Sequence, residues 1–277
     1  MSAAPTLPLS LLVLTYNEAG NIARCLDSVP FAQEKLVIDS GSTDATAQIA
    51  AAHGARVVAQ PWLGFGPQRR AATALARHPW ILFLDADEWL SEELAAELAR
   101  RLPALLASGS AGAFLRRSAW FMGARMRWYR PLAGERIERL YHRERAQWTD
   151  APVHEALRFQ GPAQQMRAPL LHAYTPSLTQ RVLKDLCYAE LRARAAHEQG
   201  RPSGLWLAPL AFIATFLKDY LLRLGVLDGT RGYVAAHLAA SYSVYKRLRR
   251  YEMAVHPESI ELARAALIRH GLERERL

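Results

Sequence analysis

The sequence predicts an α/β fold, a mixed and mostly parallel sheet flanked by helices, followed by a helical C-terminal region. Three observations carry this. Short apolar runs alternate with stretches of helical spacing through the first third of the chain. Several of those runs end in polar turns of one kind. From about Leu178 onward the periodicity is helical again.

Leu9–Leu14, Lys35–Ile38, Arg56–Ala59 and Trp80–Leu84 are rich in Val, Ile and Leu and are expected as buried strands. Between and after them, Asn21–Ser28, Asp44–His53, Gln68–Arg77 and Glu92–Leu106 have helical spacing. Ser42, Thr43 and Asp44 are N-cap candidates for the second helix, and Ser91 with Glu92 and Glu93 opens the fourth. Strand and helix at this rhythm place ligands at the carboxyl ends of the strands. From Gly112 to about Leu171, Gly and Pro punctuate interleaved aromatics and arginines, which predicts loops and short strands. The expected organisation is a catalytic domain over 1–175, with halves of about 9–110 and 111–175, and a helical region over 176–277. No internal repeat is visible.

The chain has 277 residues, 51% of them hydrophobic, so a full core is expected and disorder is not. Its net charge of +9, dominated by Arg, points to an anionic partner: a phosphorylated lipid, a membrane surface or nucleic acid. Cys25 and Cys187 have no metal-like spacing and are expected as reduced thiols of a cytosolic protein. The first apolar run is too short for a signal peptide and follows no basic segment, so no secretory leader is expected.

The chemistry concentrates where strands end. Asp85-Ala86-Asp87-Glu88 follows Ile81–Leu84 directly. Most Asp-x-Asp pairs are surface turns or helix caps, but carboxylates at the end of a buried strand need a counter-charge. A hard divalent cation, Mg²⁺ or Mn²⁺, with substrate phosphates would supply it. Asp39-Ser40-Gly41-Ser42-Thr43-Asp44 follows the second strand. As an Asx turn it would only cap a helix; as a ligand loop it allows close approach and gives Asp39 a base or ribose to accept from. Thr15-Tyr16-Asn17-Glu18 ends the first strand in the same manner, and three such turns on one edge favour a single site.

In that order, Leu12–Glu18, Asp39–Asp44, Trp62–Arg69 and Asp85–Glu88 resemble the family 2 glycosyltransferases of GT-A fold. Arg139-Leu140-Tyr141, Val153-His154-Glu155 and Leu221–Gly225 with Asp228-Gly229 and Arg231-Gly232 resemble the subgroup of bacterial lipopolysaccharide inner-core glucosyltransferases. The likeness runs from about Leu9 to Tyr251. It implies that Thr15, Tyr16 and Glu18 line the nucleotide pocket, that Asp39 holds uracil or an equivalent base within the Ser40, Gly41 and Asp44 loop, and that Asp85 lies near the ribose or sugar. Asp87 would ligate the metal, with His154 completing its sphere. Gln68 and Arg69 would lie near the phosphates, with Arg70 where relatives commonly carry Asn. For the general base, Glu155 leads, followed by Glu135 and Glu138.

Trp120, Trp128, Tyr129 and Arg139 are expected on the acceptor side; core packing and RNA stacking are the other readings of the aromatic and arginine stretch. The resemblance implies an inverting transfer of a hexose, glucose from UDP-glucose first, to a lipopolysaccharide core or related glycolipid. Leu205–Leu217 and Tyr233–Tyr245, flanked by Lys218, Lys246, Arg247, Arg249 and Arg250, suit the headgroup boundary of an anionic leaflet. The first uncharged run, of about 16 residues, is short for a spanning helix. A helical subdomain packed on the core is the other reading. The expected location is cytoplasmic, peripheral at the inner face of the bacterial inner membrane.

The competing functions fit less well. A nucleotidyltransferase needs a basic glycine-rich loop after the first strand, and a dinucleotide dehydrogenase a Gly-x-Gly-x-x-Gly; Gly64-Phe65-Gly66 replaces neither. A scaffold without catalysis would not need the acidic motifs. Nucleic acid is not an expected partner, since charge and the aromatic patch alone support it.

Overall fold

The computed structural model describes residues 6–129, 134–149, 156–173 and 177–269. The chain forms two compact units, one of Met1–Ala119 with Gly134–Ala173 and one of Trp120–Ala133 with Tyr174–Leu277.

In the first unit β1 (Leu7–Thr15), β2 (Ala32–Asp39), β3 (Arg56–Ala59) and β4 (Trp80–Asp85) lie parallel in the order β3-β2-β1-β4. Beyond β4 the sheet continues through β8 (Glu135–His142), β6 (Gly112–Phe121), β11 (Ala163–Ala173) and β5 (Glu88–Leu90). Here the pairs β4–β8, β6–β8 and β5–β11 are antiparallel. A short ribbon, β9 (Ala146–Trp148) with β10 (Leu157–Phe159), stands apart. The helices of this unit are α1 (Ile22–Asp27), α2 (Thr46–Ala52), α3 (Phe65–Leu75) and α4 (Glu92–Ala107).

β1, β2 and β4 are buried on both faces, as parallel strands covered by helices must be; β3, at the sheet edge, is only partly buried, contrary to the expectation for Arg56–Ala59. Leu11, Val13, Leu82 and Leu84 join the α1 and α4 side chains in one cluster. Leu12, Leu36, Ile38, Ile81 and Phe83 join Ala72 of α3 and the β9–β10 ribbon in the other. Alternate residues of one strand thus feed opposite cores, each fully buried side chain of this size contributing about 1.5–3 kcal/mol.

The predicted strands and helices of the first third are present. Ser91 caps α4, its hydroxyl accepting the Leu94 N–H at 3.1 Å. The second helix starts later than expected, at Thr46, and its N-cap position is Ala45. The Asp44 carboxylate, one residue earlier, accepts the Thr46 N–H at 3.0 Å. The middle of the chain holds longer strands than its texture suggested. β6 runs 10 residues and β11 runs 11, and Arg117 on β6 finds carboxylate partners in Glu88 and Glu135.

The second unit begins with the end of β6, where Trp120 and Phe121 pair with β7 (Ala124–Arg125). It continues with α5 (Leu178–Glu198), α6 (Ala208–Leu217), a π-helical turn (Lys218–Leu222), a 3₁₀ turn (Gly225–Asp228), α7 (Gly229–Val255) and α8 (Ser259–Arg269). Phe212, Phe216 and Tyr220 form a ladder against Tyr233 and His237 of α7.

The glycines of the C-terminal motifs have a steric reason. A Cβ at Gly232 would lie 1.8 Å from the Gly225 carbonyl oxygen, so the backbones meet at a distance only glycine permits. The Asp228 carboxylate accepts three backbone N–H groups, from Arg127, Trp128 and Tyr129 at 2.7–3.0 Å. Tyr129 also donates to Asp219 at 3.1 Å, and burial with that carboxylate beside it pushes the phenol well above its usual pKa.

Candidate active site

Register places the site. Thr15 of β1 lies beside Asp39 of β2, and Leu14 beside Asp85 of β4, so three strand ends deliver their polar residues to one edge. The loops that follow are stitched together. Ser42 donates through its backbone N–H (3.0 Å) and its hydroxyl to the Asp39 carboxylate, while its Oγ accepts the Asn17 N–H at 2.8 Å. Asn17 Oδ1 accepts the Thr43 N–H at 2.8 Å, and Thr46 Oγ1 accepts the Glu18 N–H at 2.8 Å. Asn17 adopts φ 53°, a left-handed conformation that Asn tolerates better than most residues. Ser40 donates its N–H to the Thr15 carbonyl, and Gln68 of α3 donates to Ser40 Oγ at 3.3 Å. Thr15, Tyr16, Glu18, Asp39, Ser40, Gly41, Asp44 and Gln68 therefore belong to one connected region.

Beside it stands an acid–arginine cluster. Arg139 of β8 donates to Asp85 at 2.5 Å and to Glu88 at 2.7 Å. Arg69 of α3 lies 3.8 Å from Asp85, and Arg117 of β6 lies 3.4 Å from Glu88 and pairs with Glu135. Glu88 is fully buried, which the paired guanidiniums make tolerable. Burial works to raise the Asp85 carboxyl, but Arg139 and Arg69 outweigh it and hold the group below its ordinary range. Burial likewise works against the Arg139 cation, and Asp85 with Glu88 raises it above its usual value. Both guanidiniums, of Arg69 and Arg139, sit over the Phe83 ring, at 4.8 and 5.0 Å. Aromatic faces and carboxylates together hold these arginines in place.

Asp87 has different company. It lies past the strand end, where the Asp85–Glu88 turn is closed by the Asp85 N–H donating to Glu88 at 3.2 Å. Its Oδ2 is 3.1 Å from Nε2 of His172, on β11. The pairing of His172 with Glu88 in the β5–β11 register, and the Ala173 N–H donating to the Asp87 carbonyl at 2.8 Å, fix that approach. About a third of the Asp87 side chain remains exposed. Among the described residues no three His, Cys, Asp or Glu side chains converge as a metal-binding group.

The donor chemistry nonetheless suits a hard divalent cation at one point of the cluster. A partly exposed carboxylate beside an imidazole offers it two ligands, whereas Asp85 is already neutralised by arginine. At the same edge Thr15 Oγ1 and Arg139 Nε are buried with no hydrogen-bond partner among the described residues. Buried polar atoms without partners are uncommon, and a bound ligand is one way to satisfy them; Arg143 Nε and Arg194 Nε, elsewhere in the chain, share that state.

His154 and Glu155 lie in 150–155, outside the described residues. Glu135 is exposed and bound to Arg117. Arg139, expected toward the acceptor, sits within the acidic cluster. Trp120, Trp128 and Tyr129 belong to the helical unit, Trp128 exposed and Tyr129 buried. His172 and Arg117 carry structure at the site without having been singled out, and Glu88, quoted only as the end of the acidic motif, is given no role there by sequence. The available signal for His172 was a polar residue ending the apolar run Leu170-Leu171.

Comparison with known proteins follows the same lines. The profile described as Glycosyl transferase family 2 matches residues 10–160. The chain is 30% identical to a lipopolysaccharide core biosynthesis glycosyltransferase, LpsC, of Rhizobium meliloti (strain 1021), over 88% of this chain and 94% of that one. It is 46% identical to an uncharacterized glycosyltransferase of Rickettsia bellii, over 35% of this chain and 34% of that protein's length. Among solved structures, glucosyl-3-phosphoglycerate synthase from Mycobacterium tuberculosis, crystallised with Mn²⁺, UDP and glucosyl-3-phosphoglycerate, aligns with a TM-score of 0.31 and 26% identity. That match covers 42% of this chain and 44% of the other.

Proposed function

Since the chain belongs to glycosyl transferase family 2 and is a glycosyltransferase, we propose that it transfers a hexose, glucose from UDP-glucose in the first instance, to a lipopolysaccharide core or related glycolipid acceptor. The observation that carries this reading is the convergence of Thr15, Asp39, Asp85 and Asp87 at the carboxyl edge of parallel strands, with arginines behind them. The acceptor class is supported by the name of the LpsC relative.

In this reading Asp39, oriented by Ser42, accepts from the uracil, and Tyr16, Glu18, Ser40, Gly41 and Asp44 shape the pocket around it. Gln68 and Arg69 lie on the diphosphate side, and Asp85, held by Arg139, accepts from the sugar or ribose. Asp87 and His172 would hold a Mg²⁺ or Mn²⁺ ion, with His154 a further ligand. When bound, that ion supplies charge stabilisation for the departing diphosphate. Arg69 and Arg139 add fixed positive charge that needs no reorganisation as negative charge develops. A carboxylate, Glu155 first and Glu135 second, takes the proton of the acceptor hydroxyl as its oxygen attacks the anomeric carbon from the face opposite the leaving group. One displacement inverts the configuration.

In the same reading the chemistry takes place at a membrane surface, at the inner face of the bacterial inner membrane, and features of the helical unit support this. Leu205–Leu222 is an 18-residue apolar helical stretch, long enough by composition to cross a bilayer, of which 11% is buried. Trp206, Leu210, Ile213, Leu217 and Leu221 form an exposed stripe along it. Lys218 and Asp219 interrupt it, and Asp219 is tied to Tyr129 and Arg223, so the stretch suits the interface better than a span.

Calorimetric titration of UDP with and without Mn²⁺, into the wild type and Asp87→Ala, tests the site. Metal-dependent binding lost in the variant supports it; no binding of UDP or any other nucleoside diphosphate by the wild type overturns it.

A further inference from the structure

Two cavities adjoin on the helical unit. The first, of about 500 Å³, lies among α5, α6 and α7 and is lined by Arg181, Lys184, Lys218, Arg223 and Lys246. Two carboxylates share it, but each is already engaged: Asp185 by Arg181 and Asp219 by Arg223, both at 2.8 Å. The five cations against two carboxylates leave three positive charges, those of Lys184, Lys218 and Lys246, with no carboxylate partner among the described residues. Lys246 instead lies 4.4 Å from the Tyr242 ring centroid. Burial, and then the neighbouring Arg247 and Arg192, lower its pKa.

The second cavity, of about 360 Å³, is lined mainly by apolar side chains, among them Leu186, Phe212, Leu238, Val244 and Leu248. The two share Asp185 and Tyr242, so a basic chamber opens beside an apolar one. Thr215 and Lys218 of the first, and Phe212 of the second, lie on the same helical stretch that exposes Leu210, Ile213 and Leu217.

A soluble phosphate has no use for the apolar chamber, and a neutral lipid leaves the lysines uncompensated. A molecule with a doubly charged head and a hydrocarbon tail satisfies both. We propose that the helical unit binds a lipid bearing a phosphate monoester, its phosphate held by Lys184, Lys218 and Lys246 and an acyl chain lying in the apolar cavity. This rests on the membrane-surface reading of the same unit and narrows it from a general anionic attraction to one built site.

The test titrates monomeric dihexanoyl phosphatidic acid into the full chain, with inorganic phosphate and dihexanoyl phosphatidylcholine as comparators. The phosphatidic acid should bind, and each comparator should bind at least about tenfold more weakly. The double variant Lys218→Gln, Lys246→Gln should lose that preference, and Leu238→Trp should lose the chain contribution, with thermal unfolding and UDP binding unchanged. Phosphate binding as tight as phosphatidic acid, phosphatidylcholine binding as tight, or insensitivity to the lysine variant would each overturn the site. Sedimentation with phosphatidylglycerol vesicles separates the two readings. Protein that sediments with them yet ignores phosphatidic acid overturns this site and leaves the membrane reading standing; protein that sediments with no anionic vesicle overturns both.

Discussion

The two ends of the main sheet each bury an acid among arginines, and they differ in one respect. At the amino ends of β1 and β2, Glu34 accepts from Ser10 Oγ, the Arg77 N–H and Arg56, all at 2.6–2.7 Å, and Ser10 in turn accepts the His78 N–H. Its side chain is 3% exposed and its acceptors are used up by the protein itself. At the carboxyl ends, Asp85 and Asp87 stay about one-third exposed, and Thr15 Oγ1 beside them has no partner among the described residues. Burial of charge is common to both. Unused hydrogen-bonding capacity at an open edge separates a site from a structural clamp.

The largest test of that contrast exchanges the outcomes of two substitutions. Asp87→Ala should lower transfer by about 10³-fold or more, with the unfolding midpoint little changed, since it removes an open carboxylate. Glu34→Ala should do the reverse, costing about 3–5 kcal/mol in urea melts while the folded fraction keeps its activity, because it strands Arg56 and an internal N–H. Equal effects on stability would erase the distinction between the two ends.

Arg139→Met joins the two behaviours. It leaves Glu88 buried against Arg117 alone and frees Asp85, so stability should fall by about 3 kcal/mol and UDP affinity should fall as well. A stability loss with unchanged affinity would make Arg139 a clamp like Arg56.

Within the helical unit, Gly232→Ala should lower stability by about 1–3 kcal/mol through the clash with the Gly225 carbonyl. UDP binding should survive, since the nucleotide edge belongs to the other unit.

The smallest effect is in acid. Burial pushes the Glu34 carboxyl up, but Ser10, the Arg77 N–H and Arg56 outweigh it and hold it below its ordinary range. Its folded pKa therefore lies below the unfolded value of about 4.3, so its contribution is complete above that pH and is lost as pH falls through the folded value. The stability gap between the wild type and Glu34→Gln should be constant from about pH 6 to 8 and narrow below about pH 4. A gap that persists in acid would mean that shape, and no longer charge, sets it.

Much of this was readable from the residues. The runs around Leu11 and Leu82 named the parallel strands, because burial on both faces demands uninterrupted apolar sequence. Polar turns at Thr15, Asp39 and Asp85 then named the edge. The antiparallel half was less legible, since Arg116, Arg117 and Arg136 mask strand periodicity until their partners are known. Tyr129, expected on the acceptor side, is buried and donates its hydroxyl to Asp219.

Local sequence thus determined the strand ends, their polar cargo and the family, since these depend on periodicity and short-range turn chemistry. Tertiary structure alone decided which charges meet. Arg139 reaches Asp85 and Glu88, and His172 reaches Asp87, across 54 and 85 residues of chain. Contacts at such separation arise from strand register and from the need of each buried carboxylate for a cation, neither of which is written in the neighbours of either residue.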